Sequence, residues 1–172
     1  MFVAPDDLPI IRRTVVRLVV VDSAGRVLLL HTHDPTYPEL ETWWELPGGG
    51  IEPGELLEDA AIRELHEETS IRVDRDALRP TARWHRHASF RYRGMRHVQC
   101  ETVVTVQLSG PEPPIDGSHR VGFEAEDYFG FAWWDVNAVV ASSDHFYPGA
   151  LPVLLLDHLA GVDLEEPFEL WS

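Results

Sequence analysis

A run of glycines followed at fixed spacing by acidic residues constrains this chain more than any other feature. The run Gly48–Gly50 leads to Glu55, and Glu64, Glu67 and Glu68 follow further along the chain. The last three stand at positions i, i+3 and i+4, which share one face of an α-helix. The spacing therefore predicts a tight turn that leads into a helix with an acidic face.

Three carboxylates on one helix face repel one another, and a bound cation would relieve that repulsion. Oxygen-rich sites of this kind suit Mg²⁺ or Mn²⁺. The alternative is a solvated acidic surface that binds nothing. The glycine run, together with Glu55 and Arg63 at their spacing, favours the metal site over the plain surface.

Length and charge limit the classes of function. The 172 residues fit one domain, for which we expect a leader over residues 1–11 and a tail over about 161–172. The formal net charge of −15 repels polyphosphate chains, so we expect no nucleic-acid polymer as partner, whereas a small nucleotide is not excluded. All 14 basic residues are arginines, which excludes a catalytic Schiff-base lysine and a P-loop lysine.

The sequence favours a reducing, cytoplasmic location. Cys100 is the one cysteine, so an intrachain disulfide cannot form, and we expect a buried, unreactive thiol. The N-terminal residues are acidic and carry prolines, unlike a signal peptide. The apolar run 15–21 contains Arg17 and is too short to span a bilayer, so no membrane partner is expected.

The hydrophobic patterns predict alternating strands and helices in a single domain. Alternation and β-branched residues indicate strands, and apolar positions repeating every three to four residues indicate helices. The predicted strands cover residues 14–21, 26–31, 43–46, 78–86, 95–108 and 131–134, and the predicted helices cover about 56–69, 136–142 and 150–160. A long loop is expected over 109–122, where prolines and glycines are frequent.

The segment from Trp44 to Ile71 resembles the signature of the Nudix hydrolase family, G-x5-E-x7-R-E-U-x-E-E-x-G-U, where U is a bulky aliphatic residue. Every fixed position is matched except one, because Ser70 stands where the family has glycine. The resemblance covers most of residues 12–160. It implies an α/β (α+β) fold, an α-β-α sandwich around a curved mixed sheet.

This resemblance implies Mg²⁺-dependent hydrolysis of a nucleoside diphosphate linked to another moiety, by attack of water on phosphorus. A nucleoside triphosphate or a nucleotide sugar fits that description. Several substrate-specific motifs of the family, including those for NADH and coenzyme A, are absent. The alternative is a Nudix-fold nucleotide-binding or sensor domain without turnover. Family members are often dimers, so a homodimer is an additional expectation.

The resemblance also assigns roles to residues in and near the signature. Glu67 and Glu68 are expected to bind the metal, Glu64 to bind it or to activate water, and the Gly48 carbonyl to complete the site. Arg63 is expected to orient Glu64, a catalytic role, while the supporting residues Gly49 and Glu55 hold the loop and helix. In some members a later acid is the general base, for which the candidates here are Glu124, Glu126 and Asp127, with Glu126 favoured.

Aromatic and basic residues outside the signature are candidates for substrate binding. Trp44 could stack a ring, Arg91 could hold phosphate and Phe123 could line the pocket. Only one residue of the pair Trp43–Trp44 can face outward on a strand. Ser70 falls at a helix end where glycine usually adopts a left-handed conformation, which would cost serine about 1–2 kcal/mol.

Overall fold

The structure, a computed structural model, describes residues 4–79, 82–110, 113–118, 120 and 126–172. Its centre is a curved mixed sheet, as expected. The strands are β1 (Ile10–Val21), β2 (Arg26–His33), β3 (Thr42–Glu45), β4 (Gly48–Gly50), β5 (Trp84–Tyr92), β6 (Met95–Gln107), β7 (Tyr128–Asp135), β8 (Phe146–Tyr147), β9 (Leu164–Glu165) and β10 (Glu169–Leu170).

The described helices are α1 (Leu57–Thr69), α2 (Val136–Ala141) and α3 (Leu151–Leu159). Within the sheet the order is β10-β5-β6-β1-β2-β3-β8, with β4 beside β1, β7 beside β2 and β9 beside β5. Strands β1 and β6 run parallel, whereas β5 and β6 form an antiparallel hairpin. No described helix has the length and apolar character needed to cross a membrane.

The two faces of the sheet pack against different helices, which forms the expected sandwich. Strand β1 is a nearly continuous apolar run because it is covered on both sides. On one face Val16, Leu18 and Val20 pack with Ala61 and Leu65 of α1. On the other face, further core residues of β1 and β2 pack with α3; they are Val19, Val21, Leu29, Leu151 and Leu155. This packing fixes α1 beside the glycine strand β4.

The central helix α1 and strand β2 are confirmed within two residues, and the first hairpin is confirmed with β1 beginning at Ile10 instead of at Thr14. Asp135 caps α2 as its sequence position suggests, accepting a hydrogen bond from the Asn137 amide at 2.8 Å. Cys100 was expected to be buried, but its side chain is exposed because it points away from the core on β6. The residue before it, Gln99, is buried instead, so the prediction placed the wrong one of these two neighbours in the core.

Several boundaries differ from the prediction. The leader is shorter, because residues 10–11 already pair with β6 in the long strand β1. The strand expected over 78–86 begins only at Trp84, after a 3₁₀ turn at Arg75–Ala77, and the strand expected over 131–134 already begins at Tyr128. No strand was predicted in the tail, yet it adds β9 and β10 to the edge of β5. Pro167 separates these two short strands, which hides their periodicity in the sequence.

Candidate active site

The glycine strand β4 brings the backbone and the acidic helix into direct contact. Gly48 has φ +140°, and a Cβ there would overlap the carbonyl of Val16. A Cβ on Gly49 would overlap the carboxylate of Glu64. Glycine is therefore required at Gly48, where the obstacle is backbone, whereas at Gly49 an added side chain would displace the Glu64 carboxylate that lies directly over β4.

Glu68 is a half-buried carboxylate held at the start of the same strand. Its Oε2 accepts a hydrogen bond from the Gly48 amide at 2.7 Å. Burial, together with the charges of Glu45 and Glu64, raises the pKa of Glu68 to about 8, against the opposing effect of Arg120 and the Gly48 amide. A carboxylate in such surroundings is one that a bound cation would stabilise.

Arg63 connects the loop, the helix and two of the acids. Its Nε and Nη2 each donate to Glu55 at 2.9 Å, and Nη2 also donates to the Gly50 carbonyl at 2.8 Å. Nη1 donates to Glu64 at 2.8 Å and to Glu67 at 3.3 Å. The geometry is that of a positioning residue, in agreement with the role that the signature implies.

The acids of α1 have the chemistry of a Mg²⁺ site but are paired with other groups in this conformation. Within the described ranges, no three acidic, histidine or cysteine side chains converge on a common ion position. Glu64 and Glu67 are turned towards Arg63, and Glu68 towards the Gly48 amide. All three nevertheless line one cavity and offer hard oxygen ligands, and the raised pKa of half-buried Glu68 favours a cation there. These residues fit a Mg²⁺ ion.

The cavity has a volume of about 610 Å³. Its lining includes the acids of α1 with the glycine strand, and a cluster of aromatic side chains. Basic residues lie between or beside them: Arg12, Arg13, Arg17 and Arg120. Arg17 is buried and pairs with Glu101 at 3.3 Å, whereas Arg12 and Arg13 are exposed at the cavity wall.

Glu45 also lines the cavity, although the sequence reasoning did not select it. It accepts hydrogen bonds from the Thr32 hydroxyl at 2.9 Å and the Trp43 indole at 3.1 Å. The sequence offered a signal for this placement. Glu45 stands two residues after Trp43 on β3, so the two side chains lie on the same face of the strand. The structure thus adds a fourth acid near Glu68.

Of the two neighbouring tryptophans, the structure places Trp43 rather than Trp44 in the cavity wall. Trp44 stacks on His31 with ring centroids 4.3 Å apart and packs edge-to-face on Trp134. Because side chains alternate along a strand, only one of the two can line the cavity. The substrate contact was predicted for Trp44, whereas Trp43 is the one in the cavity wall.

Arg91, a further predicted substrate contact, is not brought into the cavity wall. Arg91 pairs with Glu39 at 3.3 Å, and its guanidinium lies 4.6 Å from the ring centre of Tyr37. Neither residue is among the cavity-lining side chains of the described ranges. Phe123 and Glu124 lie outside the described residues.

The two described acids that precede β7 have very different surroundings. Glu126 has a side chain that is 74% exposed, pairs with Arg93 at 3.3 Å, and is not among the described lining residues. Asp127 is buried, lines the cavity, and accepts hydrogen bonds from Arg93 at 2.6 and 2.8 Å and from the Tyr92 hydroxyl. Glu126 remains a predicted base, but Asp127 is the acid that faces the cavity.

Ser70 retains the left-handed geometry that glycine has at this position of the signature. Its φ and ψ are 62° and 6°, and its amide donates to the His66 carbonyl at 2.8 Å. The hydroxyl donates to the Asp116 carbonyl, also at 2.8 Å. The substitution therefore alters the helix end locally and leaves the acids of α1 in place.

Comparison with known proteins agrees with this geometry. The family model described as NUDIX domain matches residues 11–154. An RNA pyrophosphohydrolase of Dinoroseobacter shibae is 40% identical over 82 residues, which are 46% of this chain and 49% of that protein. An RNA pyrophosphohydrolase of Rhodopseudomonas palustris is 30% identical over 144 residues, covering 74% of this chain and 75% of that one. For the first of these relatives, the match spans about half of its length.

Solved structures show the same fold at low sequence identity. An Ap4A hydrolase of C. elegans, in a binary complex, has a TM-score of 0.55 at 22% identity and covers 87% of this chain and 99% of its own. A MutT protein from Methanosarcina mazei has a TM-score of 0.53 at 17% identity and covers 80% and 86%. With the family model matching most of the sequence, the chain belongs to the Nudix family.

Proposed function

We propose that the protein is a Mg²⁺-dependent pyrophosphohydrolase acting on a nucleoside diphosphate linked to another moiety, such as a nucleoside triphosphate or a nucleotide sugar. The observation that carries the proposal is the meeting of Glu64, Glu67 and Glu68 with the glycine strand on one wall of a single cavity. The hydrolase relatives support it.

The chain's own residues account for the steps around phosphorus. When bound, Mg²⁺ would offset phosphate charge and acidify water. Glu64, oriented by Arg63 at 2.8 Å, accepts the proton of the attacking water. The new oxygen–phosphorus bond forms as the bridging bond of the pyrophosphate breaks, and the leaving phosphate takes the electron pair.

Arg13 provides positive charge for the phosphates beside the glycine strand. The residues of β4 have no side chains of their own, so the Glu64 carboxylate and the Arg13 guanidinium approach its main chain closely. A Cβ on Gly50 would overlap the Arg13 guanidinium, so that cation lies directly beside the strand. Arg13 can therefore neutralise charge on a phosphate bound at β4.

A second candidate substrate is an RNA, because the curated relatives are named RNA pyrophosphohydrolases. The net charge of −15 opposes binding of a long polyanion. Only the end of such a chain would need to enter the cavity, where Arg12 and Arg13 are exposed. Small nucleotides remain the first choice on electrostatic grounds.

Location and assembly are part of the same proposal. A cytoplasmic location is consistent with the single exposed Cys100, which stays reduced there. A homodimer is expected from the family, and light scattering after size exclusion would distinguish a mass near 19.5 kDa from twice that value.

The test is a hydrolysis panel with Mg²⁺, Mn²⁺ or a chelator. It includes nucleoside triphosphates, nucleotide sugars, dinucleoside polyphosphates and an RNA with a 5′-triphosphate, with phosphate and pyrophosphate release as readout. Metal-dependent cleavage of a few small nucleotides is the expected result. Cleavage of the RNA alone would replace the small-molecule substrate, and binding without any cleavage would favour a sensor domain.

A further inference from the structure

One end of the cavity is formed by a cluster of aromatic side chains that pack together. Trp43 and Tyr147 are only 5% and 3% exposed. Phe90 lies parallel to the His97 ring, with centroids 5.1 Å apart and an interplanar angle of 3°. Surfaces of this kind stack flat heterocycles.

One wall of this end comes from the C-terminal tail, beyond residues 11–154 that the family model matches. Trp171 meets Trp43 edge-to-face at 5.2 Å and lines the cavity. Its indole donates to the Phe146 carbonyl at 2.9 Å, and its amide donates to the Ser89 carbonyl at 2.9 Å. These bonds hold the ring in place, so the tail contributes a fixed part of the wall.

A buried side-chain oxygen without a hydrogen-bond partner belongs to a residue that lines the same cavity. Gln99 is 4% exposed, and its Oε1 has no hydrogen-bond partner among the described residues. The Nδ1 atom of the neighbouring His97 is likewise unsatisfied within those residues. Buried polar atoms are rarely left unsatisfied, because the loss of hydration is costly. A ligand with an N–H group would satisfy Gln99.

The position of Gln99 suits a nucleotide that also reaches the acids. Gln99 pairs in register with Arg13 of β1. Arg13 in turn lies beside Gly50 of the glycine strand. A base bound at Gln99 would therefore place the phosphates of the same nucleotide near Arg13 and the glycine strand.

We propose that Gln99 and Trp171 form a ring subsite that binds the nucleobase of the substrate, with Gln99 Oε1 accepting an N–H of that base and Trp171 packing against the ring. The ligand class is a nucleotide whose base carries an amino group or ring N–H, and phosphate compounds without a ring are excluded. The inference rests on the proposed function for the position of the phosphates only.

Calorimetric titration with nucleoside monophosphates tests the subsite without requiring hydrolysis. The probes are AMP, GMP, CMP, purine riboside 5′-monophosphate and inorganic phosphate. Purine riboside 5′-monophosphate has the purine ring but lacks the 6-amino group of AMP and the ring N–H of GMP. The preferred amino-bearing monophosphate should bind at least fivefold more tightly than purine riboside monophosphate, and more tightly still than phosphate.

Two variants separate the amide from the ring wall. Gln99→Leu should weaken the preferred monophosphate about fivefold to tenfold and change purine riboside monophosphate by less than about twofold. Trp171→Ala should weaken every ring-bearing probe by at least about fivefold and leave phosphate unchanged. Trp134→Phe, which alters an aromatic cluster outside the cavity, is the matched control and should bind all probes as the parent does.

The outcomes distinguish the subsite from the proposed activity. Because Trp171 also packs on the core, melting curves check that each variant is folded. Trp171→Phe, which keeps an aromatic ring, is the milder second variant at this position. Base-specific binding without any pyrophosphate cleavage in the hydrolysis panel would keep the subsite and reject the enzyme. If cleavage is found but no monophosphate binds up to millimolar concentration, or if Gln99→Leu retains full discrimination between AMP and purine riboside monophosphate, the subsite is overturned.

Discussion

Arg63 holds Glu55 through a two-pronged ion pair, with Nε and Nη2 each 2.9 Å from a different carboxylate oxygen. This pair connects the loop after β4 to the middle of α1. The third nitrogen of the guanidinium, Nη1, donates a hydrogen bond to Glu64 at 2.8 Å. The orientation of Glu64 therefore depends on a contact that Glu55 stabilises.

Replacing Arg63 by lysine should lower kcat by about tenfold to a hundredfold with a smaller change in KM, because one ammonium group cannot hold Glu55 and Glu64 together. Arg83→Lys is the control, since Arg83 forms only an exposed pair with Glu58 at 3.1 Å. Steady-state kinetics on the best substrate of the panel measures both. Equal kcat values for the two variants would show that Arg63 does not position Glu64.

The same pair predicts acid sensitivity of folding. The hydrogen bond from Arg63 lowers the pKa of Glu55 from 4.5 to about 2. Because the folded state favours the charged form, this stabilisation is present above pH 4.5 and is lost as the pH falls towards about 2. Urea unfolding at pH 5, 4 and 3 should show a shallower loss for Glu55→Gln than for the parent. Glu58→Gln should keep the parental slope.

The helix end at Ser70 predicts an order of stabilities. Ser70 has φ 62°, where glycine is unstrained, and its hydroxyl bonds to Asp116. Ser70→Ala and Ser70→Gly both lose the hydrogen bond, but only alanine keeps the strain of the left-handed conformation, so Ser70→Ala should be less stable than Ser70→Gly by about 1 kcal/mol in urea unfolding. An alanine variant as stable as the glycine variant would mean that the left-handed geometry is not maintained in solution.

The acids before β7 should differ in their effect on stability. Asp127→Asn should cost about 2 kcal/mol, because it weakens a buried network with Arg93 and Tyr92. Glu126→Gln should change the free energy of unfolding by less than about 0.5 kcal/mol, since its pair is exposed. The kcat of Glu126→Gln also decides between Glu126 and Glu64 as the base: a loss of about a hundredfold or more would assign that role to Glu126, and parental turnover would leave it with Glu64.

Local patterns predicted much of the fold because they act over a few residues. The acidic face of α1, the hairpin of β1 and β2, and the cap at Asp135 each depend on neighbours within one or two turns. The glycine requirement at Gly48 and Gly49 was likewise visible in the signature, although its steric cause, the Val16 carbonyl and the Glu64 carboxylate, appears only in three dimensions.

The rest of the site depends on contacts between distant parts of the chain. Arg13, Gln99 and Trp171 meet around one cavity although they lie far apart in sequence. No local period indicates that meeting. The tail shows the same limit, because its short strands are stabilised by pairing with β5 rather than by their own sequence.

The most direct test of the proposed function is the Mg²⁺-dependent turnover of Glu68→Gln compared with Glu58→Gln. Glu68 is half-buried against the Gly48 amide, whereas Glu58 lies on the exposed side of α1. The proposed function predicts that Glu68→Gln loses at least about a hundredfold in kcat on the preferred nucleotide, while Glu58→Gln keeps the parental rate. Full Mg²⁺-dependent turnover by Glu68→Gln would contradict it.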